Sequence, residues 1–101
     1  MKRIKVDHES GHTEPCSYYK VFVYPALNSK KPEFHSEETC YAKEEVDDNI
    51  PLGIVMGYLH HHPLDETVLD DETDDYLRSK LQIIIQAHNA SVSKLKKLGY
   101  E

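Results

Sequence analysis

The stretch DETDDYLRSKLQIIIQAHNASVSKLKKLG, residues 71–99, decides the fold. Leu77, Leu81, Ile84, Ile85, His88, Val92, Leu95 and Leu98 recur at three- and four-residue spacing, the period of one helix face. Acids crowd its beginning and Lys94, Lys96 and Lys97 its end, the order a helix dipole favours. Asp71, with Asp74 three positions on, suits the N-cap, and Gly99 sits where a left-handed terminating residue belongs. The spacing predicts a helix over residues 72–98, roughly 40 Å long at about 1.5 Å per residue. A second ridge of Tyr76, Ile83, Ala87 and Ala90 widens its apolar surface, leaving Arg78, Gln82, Gln86, Asn89, Ser93 and Lys97 for water. A helix lying on a single sheet needs a narrower stripe than that. A second packing surface is therefore expected, either another segment of the chain or a partner copy meeting Ile83, Ala87 and Ala90. His88, on the main stripe, reads as a buried or interface histidine.

Upstream, the period changes from helical to alternating. Residues 3–8 place Ile4 and Val6 between Lys5 and Asp7, and residues 17–26, SYYKVFVYPA, are rich in β-branched and aromatic side chains. Tyr19, Val21 and Val23 share one face of that second strand, and Tyr18, Lys20, Phe22 and Tyr24 the other. A third strand is expected over residues 38–43, with turns at 9–15 and 28–32. Residues 50–60 are ambiguous. Asn49 and Pro51 suit a helix start, but Gly53 and Gly57 penalise a helix interior and Ile54, Val55 and Tyr58 favour a strand. The sequence leans to a fourth strand here and leaves a helix open, in which case the two glycines would admit a close backbone. Residues 65–70 read as a loop. The expected fold class is α+β: a small antiparallel sheet of three or four strands with one long C-terminal helix, in a single domain over residues 1–101.

Composition bounds the function. A content of 39% hydrophobic and 30% charged residues is that of a folded, soluble chain and too apolar for a wholly disordered one. The apolar run 50–59 is too short to span a bilayer, residues 1–10 lack the apolar segment of a secretory signal, and Cys16 and Cys40 read as reduced. A cytoplasmic location is expected. The net charge of −6 is unevenly spread: residues 1–31 carry six basic and three acidic side chains, residues 32–75 one basic and fourteen acidic, and residues 76–101 five basic and one acidic. Direct nucleic-acid binding is disfavoured, because affinity for phosphates depends on lysine and arginine. A basic partner protein would instead be steered to the acids. The candidate contact residues are Asp65, Glu66, Asp70, Asp71, Asp74 and Asp75, joined by Glu44, Glu45, Asp47 and Asp48. The expected function is a non-enzymatic binding module for a basic, nucleic-acid-binding partner, acting as an inhibitor or nucleic-acid mimic. In size and charge the chain resembles the small acidic proteins that phages direct against host factors.

No nucleophile with its base and no glycine-rich phosphate loop is present, the acidic run lacks the glycine and terminal glutamate of an EF-hand, and no cofactor motif appears. His8, His12 and Cys16 are spaced four apart and His35 and Cys40 five apart, but Gly11 and Pro15 break the helix such spacing requires and no Cys-x-x-Cys is present. An ordinary structural reading of these residues is favoured over a metal site. The segment GYLHHHP, residues 57–63, followed by acids, resembles the His-x-His-Pro segment of JAMM/MPN-type metalloproteases. That resemblance implies His60 and His62 as zinc ligands with a downstream aspartate and an upstream glutamate base. At the family's serine and aspartate positions this chain has Asp70 and Thr73; a shift of one residue gives Asp71 and Asp74, which restores the aspartate and not the serine. A minimal zinc-dependent hydrolase at His60 and His62 is the alternative reading.

Overall fold

The computed structural model describes residues 1–10, 17–40 and 49–100. The chain runs β1 (Lys2–Ser10), β2 (Ser17–Tyr24), β3 (Phe34–Cys40), α1 (Asn49–His61), β4 (Thr67–Leu69) and α2 (Asp75–Lys97). The α+β class and the long C-terminal helix are as the sequence predicts. The sheet order is β3-β2-β1-β4, with β1, β2 and β3 an antiparallel meander and β4 parallel to β1. The sheet is thus mixed, not wholly antiparallel, because the chain leaves β3 at one edge and returns through α1 to the other. Parallel neighbours need such a crossover.

Alternation along the strands builds one core. The register sets Ile4 beside Val23 and Val6 beside Val21, and all four are fully buried, as is Tyr19. Val55, Tyr58 and Leu59 of α1, Leu69 of β4 and Leu77, Leu81 and Ile85 of α2 close over the same sheet face. Burying each such side chain is worth about 1.5–3 kcal/mol. Arg3, Lys5, Lys20, Phe22, Tyr24, His35 and Val68 occupy the opposite face, on which no described element packs.

Three expectations are corrected. First, residues 50–60 are helical, not a strand. Pro51 is buried in the first turn, and Val55, Tyr58 and Leu59 make the three- and four-residue repeat that faces the sheet. The glycines do not serve close approach, since a Cβ at Gly53 or Gly57 would meet nothing within 4 Å. Second, the fourth strand lies inside the acidic run. Thr67 and Leu69 are buried there, and Lys2, Arg3 and Ile4 pair with Thr67, Val68 and Leu69. The outer edge of β4 is closed by Asn89, which was expected to face water: its Oδ1 accepts from Thr67 N at 3.0 Å and its Nδ2 donates to Thr67 O at 2.8 Å. Third, the N-cap of α2 is Asp74 and not Asp71, with Asp74 Oδ1 accepting from Tyr76 N at 3.3 Å. The helix ends as expected: Gly99 takes φ +93°, Gly99 N donates to Lys96 O and Tyr100 N to Leu95 O, the Schellman pattern. Of the third strand as expected from the sequence, residues 41–43 lie outside the described residues.

Candidate functional site

The carboxylates of residues 65–75 divide into those the fold consumes and those it presents. Asp65 Oδ2 is 3.3 Å from Lys2 Nζ and 3.3 Å from His62 Nδ1, while its carbonyl accepts from His88 Nε2 at 2.7 Å. Glu66 is half-buried, and its carbonyl accepts from Lys2 N. Asp70 is buried at 9% exposure; its Oδ2 lies 3.1 Å from Arg3 Nε and its Oδ1 accepts from Glu72 N at 2.8 Å. Asp74 caps α2. The carboxylates of three of the six predicted acids in this run, Asp65, Asp70 and Asp74, are therefore engaged by the fold. Asp71 and Asp75 face solvent, and so does Glu72, which sequence reasoning did not single out. The side chain of Asp75 is fully exposed, with Oδ1 3.7 Å from Arg78 Nε, and that of Glu72 is 79% exposed. Glu44, Glu45, Asp47 and Asp48 lie outside the described residues.

Two of the exposed acids, Asp71 and Glu72, border a groove of about 460 Å³ at the corner where β4 runs into α2. Tyr24, Leu27, Val68 and Leu69 give it apolar surface, with Leu27 56% exposed, and Asp70, Asp71 and Glu72 give it an acidic wall. The protein's own cations already lie in it. Arg3 sits with its guanidinium carbon 4.2 Å from the centroid of the Tyr24 ring and donates from Nη2 to Ser29 O at 2.7 Å. Lys5 Nζ is 3.2 Å from Glu72 Oε2 and 3.7 Å from Asp7 Oδ2. Burial opposes the charge of Lys5, but the hydrogen bond to Glu72 and the charge of Asp7 outweigh it and raise its pKa. Strand alternation is the one signal that could have placed Arg3, Lys5 and Tyr24 on a common face. The planar groups continue across the sheet: Phe22 stacks on His35 at 4.7 Å with 4° between planes, and lies 6.5 Å from Tyr24.

At the start of β1, on the face that carries Ile4 and Val6, Lys2 Nζ is 2.6 Å from Glu33 Oε1 and 2.9 Å from Tyr58 Oη, and Tyr58 Oη donates to Glu33 Oε1 at 2.8 Å. The hydrogen bond from Lys2 outweighs burial and lowers the Glu33 pKa. For Lys2, burial works against the charge, and its bonds to Glu33, Tyr58 and Asp65 overcome that and raise its pKa. Tyr58 is pushed up, chiefly by burial. The net effect is a Lys2–Glu33 ion pair with the Tyr58 hydroxyl bonded to both partners.

The three histidines that suggested a zinc site leave the end of α1 in different surroundings. His60 and His61 are exposed, with ring centroids 5.8 Å apart, whereas His62 stacks on Tyr58 at 4.4 Å and engages Asp65. Among the described residues no three His, Cys, Asp or Glu side chains are grouped to hold a metal ion. His8 packs between the rings of Tyr19 and Tyr76, at 5.0 and 5.3 Å. His12 and Cys16 lie outside the described residues.

The expected second packing surface on α2 is exposed. Ile83 is 68% exposed, and Ala87 and Ala90 also face solvent. Beside them runs a groove of about 470 Å³ between the helices, lined on the α1 side by Met56, Leu59 and Pro63 and on the α2 side by Ile83, Ile84, Ala87 and Leu95. Among the described residues no helix is long and apolar enough to cross a membrane. No protein-family model, curated protein or solved structure matches the chain.

Proposed function

We propose that this protein is a non-enzymatic binding module that engages a basic partner protein at the corner between β4 and α2. The observation that carries this reading is the groove there, in which apolar surface from Tyr24, Leu27 and Val68 adjoins an acidic wall where Asp71 and Glu72 remain exposed. An arginine or lysine needs both, because its aliphatic stem is covered by apolar surface and its head is met by carboxylate. Arg3 on Tyr24 and Lys5 at Glu72 are the same arrangement made within the chain. A partner side chain laid along Leu27 and Val68 would bring its head to Asp71 and Glu72. If the partner's basic surface is its nucleic-acid-binding face, occupation of that surface makes the protein an inhibitor by mimicry.

The test is calorimetric titration with an arginine-rich peptide. The triple variant Asp71→Asn, Glu72→Gln, Asp75→Asn is expected to weaken binding at least tenfold, since each exposed pair is worth up to about 1 kcal/mol. Raising the ionic strength from about 0.01 M to 0.15 M, which shortens the screening length from roughly 30 to 8 Å, is expected to weaken it too. Binding indifferent to both changes overturns the reading.

A further inference from the structure

We propose that the exposed ridge of α2 is a self-association surface, occupied by the antiparallel α2 of a second copy. Among the described residues, four of the seven large apolar side chains most open to solvent lie on this side: Ile83 at 68% and Leu98 at 66% exposure on or just after α2, Tyr76 at 41% with its ring also against His8, and Met56 at 56% on the neighbouring α1. At about 100° per residue, Tyr76, Ile83, Ala87, Ala90 and Leu98 fall on one stripe, distinct from the stripe of Leu77, Leu81, Ile85 and Val92 that the core buries.

The stripe is complementary to itself in one orientation. With a two-fold axis beside Gln86 and Ala87, Ile83 of one copy meets Ala90 of the other, a large side chain over a small one, and Tyr76 meets Leu98. Charge selects the same orientation. α2 opens with Asp74 and Asp75 and closes with Lys94, Lys96 and Lys97. Running antiparallel brings Asp75 to the partner copy's Lys97 and sets the helix dipoles antiparallel, each N-terminus beside the partner copy's C-terminus. A parallel pair would stack acid on acid and lysine on lysine. One unfavourable pair survives, because the same register brings Lys80 near the partner copy's Lys94. The interface is narrow, little more than one helix face and Met56, so a dissociation constant on the order of tens of micromolar is expected.

The experiment is sedimentation equilibrium on the full chain up to about 1 mM, a concentration at which even an association of roughly 4 kcal/mol is visible. The expected result is a monomer–dimer equilibrium. Ile83→Arg places a charge in the stripe at a position where the monomer leaves the side chain in solvent, so it should weaken dimerisation at least tenfold with an unchanged circular dichroism spectrum. Lys94→Glu is the register test. It converts two like-charge contacts per dimer into opposite ones and should tighten association about tenfold, although losing a lysine from the last turn weakens the helix itself. A protein monomeric throughout, a dimer indifferent to Ile83→Arg, or a dimer loosened by Lys94→Glu overturns the proposal.

Discussion

Single side chains do work in this protein that their position in the sequence does not announce. Asn89 is the clearest case. It looks like one of the polar residues on the wet side of α2, yet it satisfies both backbone groups of buried Thr67 and finishes an edge strand of three residues. Removing it leaves a buried donor and acceptor unpaired, at about 1–3 kcal/mol. Asn89→Ala is accordingly expected to lower stability by roughly 2 kcal/mol in urea denaturation, and a loss under about 0.5 kcal/mol would show that water replaces the clamp. Glu33 gives a pH-dependent counterpart. Its folded pKa is depressed by Lys2, so the stability it contributes is present above the ordinary glutamate pKa and is lost as pH falls through the lower folded value. The urea midpoints of the wild type and Glu33→Gln should differ at neutral pH and converge in acid. A constant difference would mean that Glu33 acts through packing and not through its charge.

The elements differ in how plainly the sequence writes them. β2 and α2 are legible because each has enough residues for its period to repeat several times and both have clear ends. α1 is obscured by its composition: Gly53 and Gly57 carry no pattern, and Ile54 and Val55 suit a strand as well as a helix. What makes it helical is tertiary, since Val55, Tyr58 and Leu59 are buried against the sheet. β4 is hidden by its brevity and by the surrounding acids, and its pairing with β1 spans more than sixty residues of sequence. The candidate site was legible to the same degree. Asp71 and Asp75 could be read as surface acids, but which of their neighbours the fold would consume depends on the long-range approach of β1. The glycines of α1 yield a direct prediction. Each sits on a solvent face of a helix with room for a Cβ, so alanine adds propensity and removes unfolded-state entropy without a clash. Gly53→Ala and Gly57→Ala should each raise stability by about 0.5–1 kcal/mol. A melting temperature that falls instead would mean that something in solution covers this face of α1.

At the scale of the whole molecule, the first strand and the approach to the last helix form one unit. Lys2 N donates to Glu66 O, Asp70 N to Ile4 O and Asp74 N to Val6 O, so residues 66–74 lie along β1 for most of its length. Arg3 with Asp70 and Lys5 with Glu72 fasten the same seam from the open face. The acidic run is therefore the surface by which the approach to α2 meets β1, and the acids it leaves exposed, Asp71, Glu72 and Asp75, are those proposed to meet a partner. Thr73 tests how far that seam unites the fold. It is 2% exposed, and its Oγ1 accepts from Val6 N at 3.3 Å, the point where the loop before α2 closes onto the sheet. Thr73→Val keeps the shape and removes the acceptor, leaving the Val6 N–H buried without a partner at a cost of about 1–3 kcal/mol. If the seam joins sheet and helix into one cooperative unit, that loss is global. Helix content by circular dichroism and the fluorescence of the tyrosines, undisturbed because the chain has no tryptophan, should then shift together to lower urea. If α2 instead melts first while part of the tyrosine signal, to which β2 contributes Tyr18, Tyr19 and Tyr24, keeps its wild-type midpoint, the seam is only a local latch and the meander of β1, β2 and β3 stands without it.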